Sequence, residues 1–287
     1  VNFLGFLDRY ILMLHNTSHR ALFRPKYRFL NHYIPWVLGP FFGETPETYF
    51  AHHLGMHHPE NNLGEDLSTT MPYQRDRLSD FLAYYFRFLF LGLKDLFVYL
   101  GKKNRPRLQV RMVAGELSFI ALSAALLYVN WRATVVVFVA PVLIVRFLMM
   151  AGTWGQHAFV DPRAPESPYS NSITCLADRY NRRCFNDGYH IGHHVKANRH
   201  WTEMPADFEA NRARYAKEGA IVFRGLDFFA VWALLMVRRY DLLARQYVVL
   251  DSSNPSLGEI EQLLRSRTGP LPFPVSAPAP VPATATA

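Results

Sequence analysis

The chain has 287 residues, half of them hydrophobic and 15% aromatic, with a formal charge of +8. A mean hydropathy of only −0.03 excludes a protein lying mostly in lipid. The apolar residues must be concentrated in some segments, as in a membrane protein with a large part outside the bilayer. No nucleic-acid partner is expected, because the basic residues form no single aromatic-laced stripe.

In chain order, residues 1–14 (VNFLGFLDRYILML) read as the end of a membrane helix, with Asp8 and Arg9 arguing against a cleavable signal peptide. Residues 29–43 are apolar but carry Pro35 and Pro40 and fall short of the roughly 20 residues of a span, so they read as interfacial or re-entrant. Residues 80–101 are rich in Phe, Tyr and Leu but are interrupted by Arg87, Lys94 and Asp95, the pattern of a helix lying in the interface.

The two clearest spans are 112–129 and 134–151, joined by Asn130-Trp131-Arg132-Ala133 into a helical hairpin. Lys102, Lys103, Arg105, Arg107 and Arg111 precede it and mark that side as cytoplasmic. A hairpin returns the chain to the side it left, so residues before 102 and after 151 share that face.

Beyond it, residues 152–217 are polar and 218–237 apolar, broken by Arg224 and Asp227; residues 256–267 suit a short amphipathic helix. The Pro- and Ala-rich tail from about 269 is expected to be disordered. Residues 1–250 are thus read as one domain and 251–287 as a C-terminal extension. Cys175 and Cys184 make neither a disulfide framework nor a C-x-x-C motif, as for reduced thiols.

Eight of the twelve histidines stand at ligand spacing in three windows. These are His15 and His19; His53, His57 and His58; and His190, His193 and His194. Residues three and four apart share a helix face, so each window aims its imidazoles at one point. His53 is expected to meet His57, and His190 to meet His193 and His194, with His52 left over. Imidazole suits iron, zinc and copper, but eight are too many for one tetrahedral zinc. Neither HExxH nor Glu-x-x-His is present, which leaves an all-histidine two-metal centre. The 33-position interval from His19 to His52 is too short for two crossings, so all three windows fall on one face.

This order and spacing of histidine boxes resembles the membrane fatty acid desaturase and hydroxylase superfamily over roughly residues 10–205. The resemblance implies an all-α, integral-membrane helical bundle with a cytoplasmic helical cap holding a di-metal site. It further implies two non-haem irons, O2 as co-substrate and oxidation of an unactivated C–H bond. Carried over residue by residue, the metal ligands are His15, His19, His53, His57, His58, His157, His190, His193 and His194. Of these, His157 is the further ligand that the family often carries just beyond the hairpin. Asp66, Asp161, Asp178 and Asp187 are candidates to orient these rings, and His32 and His200 are left as structural.

The third box begins with His190 rather than Gln, no cytochrome b5 domain is present, and the extra motif of alkane hydroxylases is missing. A fatty acyl desaturase (acyl-lipid or acyl-CoA) is therefore favoured over a hydroxylase, and both over a non-catalytic lipid- or metal-binding homologue. The partners implied are the bilayer, an acyl chain and an external electron donor, cytochrome b5 or ferredoxin. The membrane expected is the endoplasmic reticulum, a plastid membrane (with the site on the stromal face) or the bacterial inner membrane, which the sequence does not distinguish. Two clear spans are fewer than the four usual in the superfamily, so an upstream segment is expected.

Overall fold

The computed structural model describes residues 2–272 and, within them, not the side chains of Asn2, Leu4 and Asp178. Two-thirds of the chain is helical, with little strand. The first helix, α1 (Asn2–His19), ends on the first histidine pair. The segment that follows makes only short turns, a 3-10 helix over Pro25–His32, a π turn over Ile34–Leu38 and a 3-10 turn over Gly39–Phe42. Pro35 and Pro40 start these last two turns, as expected of residues that cannot donate inside a helix. A second helix, α2 (Thr48–His52), then leads into the second box.

The expected helix over 80–101 is α3 (Leu78–Lys102). It buries Phe81, Tyr84, Tyr85, Leu96, Tyr99 and Leu100 while Leu82, Phe86, Phe90, Leu91, Phe97 and Val98 stay exposed. After it come α4 (Pro106–Thr134), a π turn over Val135–Val139 and α5 (Ala140–Gln156). Helical hydrogen bonding carries nearly through, but Asn130 leaves the helical region at φ −155° and ψ 92°. The chain reverses there. Phe119 and Phe138 have ring centroids 6.5 Å apart, and Arg146 lies 3.7 Å from Glu116. In one straight helix, positions 116 and 146 would be about 45 Å apart. The hairpin inferred from the sequence is therefore present.

Among the described residues, Pro106–Gln156 is the one helical run long and apolar enough to cross a membrane, and only 28% of its most apolar window is buried inside the protein. Tyr128, Val129, Trp131 and Val136 are among its exposed side chains. Close approach ties this hairpin to the second box. A Cβ on Gly115 would strike the Pro46 carbonyl, so only glycine admits the loop that enters α2.

The expectation of an all-helical chain is amended by two strands, β1 (Ile173–Leu176) and β2 (Ile221–Arg224), paired parallel with Ile173 opposite Ile221. The third box occupies α6 (His190–Val195), beside β1. The apolar stretch 218–237 is not one helix. It divides into β2 and α7 (Phe228–Met236), whose first turn is capped by the Asp227 carboxylate accepting from the Ala230 N–H at 2.8 Å. α8 (Tyr240–Gln246) and α9 (Leu257–Ser266) follow toward the end of the described chain. The amphipathic helix expected at 256–267 is α9, started by a Ser256/Glu259 capping box.

The chain after 250 does not stand apart from the rest. Ile260 and Leu264 share one core with Ile173, Phe223, Val231, Leu235 and Tyr240. Of the tail expected to be disordered, Gly269 accepts a bond from Arg75 and Leu271 donates to Met71; residues 273–287 lie outside the described residues.

Candidate metal centre

All nine of the histidines singled out from the sequence converge, in two groups. His15, His19, His53, His58 and His193 form one, and His57, His157, His190 and His194 the other. Within each group the donor atoms all lie within 4.8 Å of one another.

The division between groups differs from the α-helical expectation. Residues 53–57 form a π turn, which widens the repeat beyond that of an α-helix and brings His58 rather than His57 over His53. The His53 and His58 Nε2 atoms are 3.1 Å apart, and His57 turns to the second group. On α6, His190 and His194, one helical turn apart, share the second group with Nε2 atoms 3.0 Å apart. His193 faces the first group instead. Its Nε2 lies 3.0 Å from that of His15 and 2.9 Å from that of His58.

These spacings test whether a metal fits. Two donors at right angles on a metal, each about 2.1 Å away, sit about 3.0 Å apart. The first group has four such edges, His15–His193, His193–His58, His58–His53 and His53–His19, of 2.9 to 3.1 Å. Five imidazoles at that spacing fit five positions of an octahedron. The second group has edges of 3.0 Å between His190 and His194 and 3.4 Å between His157 and His190, so four donors leave more of that sphere free.

The outward nitrogens fix the tautomers. His15 Nδ1 donates to Asp187 at 2.9 Å, His57 Nδ1 to Asp66 at 2.8 Å, and His157 Nδ1 to the Asn171 carbonyl at 2.8 Å. With the proton on Nδ1, each Nε2 presents a lone pair to its group. Burial first, and neighbouring imidazoles second, push His19 down to about 3. Burial and the His57 ring do the same to His157, also to about 3. His53, His190, His193 and His194 are held well below their ordinary value for the same reasons. These rings are neutral bases at physiological pH, the form that binds a metal.

Asp66 is buried, yet burial is outweighed. The His57 ring and the Ser68 hydroxyl hold its carboxyl well below the usual carboxylate range, and it also accepts the Asn62 and Ser68 backbone N–H groups. Tyr180 donates to Asp187 at 2.7 Å. Of the other two aspartates singled out, Asp161 pairs with Arg163 and Arg267 instead, and the Asp178 side chain is not among those described. His32 is exposed near Glu47, and His200 caps the turn that follows it.

Sequence reasoning missed Glu47, a non-glycine residue at φ +68° that sets the entry into α2. Its buried carboxylate accepts from Trp36 Nε1 at 2.7 Å and from Arg111 at 2.5 Å, which hold the left-handed conformation in place. A Gly-Glu-Thr-Pro-Glu run before a histidine box was the available signal, since polar residues there have no reason to be apolar-facing.

Residues 3–225 match the family model described as fatty acid desaturase. The chain belongs to the fatty acid desaturase family. No curated protein and no solved structure matches it. All three histidine boxes and His157 fall inside the matched residues, and membership brings oxidoreductase activity, lipid metabolism and membrane association. For this desaturase-family chain, Asp66→Asn removes the charge that orients His57, and metal affinity at the second group is expected to fall about 10- to 100-fold. Chelator competition measures it; an unchanged affinity would show that Asp66 does not orient a ligand.

Proposed function

We propose that the chain is a membrane di-iron fatty acyl desaturase, with the nine clustered histidines as its metal ligands. The observation that carries this reading is the pair of imidazole groups with edges near 3 Å, inside residues that match the family. The chemistry that two irons supply when bound is activation of O2 and oxidation of an unactivated C–H bond. An alkyl chain has no acidic proton and no polar handle, so acid–base residues alone cannot begin that reaction.

The chain's own residues have positioning roles in this scheme. Asp187 and Asp66 hold His15 and His57 with their Nε2 lone pairs inward. The fourfold second group leaves room for O2 and for the carbons to be oxidised. The buried aromatic and aliphatic side chains around the boxes exclude water and fix which carbons approach, which decides between a double bond and an alcohol. Two electrons per turnover come from an external carrier such as cytochrome b5 or ferredoxin. The exposed apolar sides of the hairpin face lipid, so the chain is multi-pass and its histidine groups lie on the cytoplasmic side, next to the basic flank.

Expression in yeast followed by mass-spectrometric lipid profiling tests the reaction. A lipid two hydrogens lighter, with the new double bond located by fragmentation, is expected only in cells carrying the intact boxes. A lipid heavier by one oxygen would replace desaturation by hydroxylation.

A further inference from the structure

A second polar cluster lies where the loop before α2 meets the hairpin. Glu116 on α4 accepts from the Thr45 hydroxyl at 2.5 Å and the Thr48 hydroxyl at 2.6 Å, and Arg146 on α5 stands 3.7 Å away. Beside them Glu44 is 8% exposed, and its Oε1 is fully buried without a hydrogen-bond partner among the described residues. Three neighbouring hydroxyls that could serve are engaged elsewhere. Tyr10, whose hydroxyl approaches the same Gly39 as Glu44 does, donates to the Ile34 carbonyl, and both threonines donate to Glu116.

Two carboxyl groups thus face one guanidinium in an apolar setting. Burial, the largest influence, pushes the Glu44 carboxyl up to about 8, with Arg146 opposing and Glu116 adding to the rise. A neutral carboxylic acid both donates and accepts, and leaving it unbonded in an apolar site is costly. The place is also close to the first histidine group. Tyr49, which senses the charge of Glu44, stacks on the His53 ring at 5.1 Å. Tyr10, Leu14, Ile34, Leu38, Phe42 and Phe50 form the apolar cluster alongside.

We propose that Glu44 is a hydrogen-bonding post for a neutral oxygen of the substrate, a hydroxyl or an ester carbonyl seated near the carbons to be oxidised. The proposal rests on the acyl-oxidising reading above and narrows it. A hydrocarbon segment alone would leave Glu44 Oε1 without a partner, and a neutral oxygen matches a site whose one guanidinium already stands beside Glu116.

The test uses the purified, detergent-solubilised protein and three C18 probes, octadecane, octadecan-1-ol and methyl stearate, with retained probe measured by mass spectrometry. The wild type is expected to retain one or both oxygenated probes about fivefold over octadecane, the worth of one buried hydrogen bond. Glu44→Leu should bring that ratio to near one, and Glu44→Gln, which still donates and accepts, should keep most of it. Equal retention by the wild type, or a preference that survives Glu44→Leu, overturns the proposal.

An infrared difference spectrum of the wild type, taken with and without octadecan-1-ol, needs no folded Leu variant. A protonated carboxyl band should shift, and Glu44→Gln should lack that band; no shift in the wild type counts against the post. Iron content in the same samples separates the two levels of argument. A protein with two irons and no probe preference refutes the post alone, while one without iron refutes the di-iron reading whatever it retains.

Discussion

On the di-iron reading proposed above, His193→Ala is expected to lower bound iron from two per chain to one or fewer and to bring product formation below detection. His193 Nε2 makes two edges of the first group, with His15 and with His58, so its loss opens the five-membered set in the middle rather than at an end. Its burial means that little water is at hand to substitute, and the remaining rings, already close together, cannot approach a replacement without moving α1 or α6. Iron analysis of the purified variant, with lipid profiles of the cells that made it, measures both effects. His32→Ala is the appropriate control, since that ring is exposed, and it should keep both irons. Two irons and normal product in His193→Ala would refute the ligand assignment.

The histidine boxes and the hairpin were legible in the sequence because each depends on short-range spacing. An interval of three or four residues on a helix, or two apolar runs with a polar break at Asn130, carries its geometry within a few turns of chain. How the nine rings divide was not legible. That division depends on the π turn over His53–His57, and no local propensity marks the extra residue. The orienting aspartates were half legible. Asp66 lies nine positions after His57, and Asp187 lies three before His190 but pairs with His15, a contact across 172 positions. Such a partner is set by how α1 seats against the third box.

The strands escaped for another reason. Ile173–Leu176 and Ile221–Arg224 are four-residue apolar runs, and at that length periodicity does not separate a buried strand from a helical segment. The continuation of the core past residue 250 was hidden in the same way. α9 alone has a recognisable amphipathic pattern, but which surface receives it depends on β2, α7 and α8 being assembled.

Arg75→Met is expected to destabilise the protein by about 1–3 kcal/mol for each buried carbonyl it leaves without a donor, and to loosen the second histidine group with it. The Arg75 side chain is fully buried, and among the described residues the guanidinium pairs with no carboxylate. It donates instead to the carbonyls of Ala158, Thr70, Met71, Tyr73, Arg267 and Gly269 at 2.6 to 3.3 Å. Burial lowers it to about 9, still a cation at neutral pH, with carbonyl dipoles supplying the stabilisation a counterion would give.

Those six carbonyls come from three stretches of chain: the loop after the second box, the segment after α5, and the end of α9. Methionine fills the volume of the side chain; the carbonyls of Thr70, Met71 and Arg267 keep the backbone N–H groups of Tyr73, Leu271 and Val160, but those of Ala158, Tyr73 and Gly269 lose their donor, at a cost of about 1–3 kcal/mol for each that stays dry. The effect reaches the site because the same loop carries Asp66, which orients His57, and Thr70, whose hydroxyl donates to the His157 carbonyl at 2.7 Å. Arg75→Lys keeps the charge with three donors in place of five and should fall between wild type and Met. A thermal melt of the solubilised protein with iron content read alongside measures both consequences. If the Met variant melts with the wild type, the guanidinium does not hold these segments together. If it melts early yet keeps both irons, the loop carrying Asp66 is secured by other contacts.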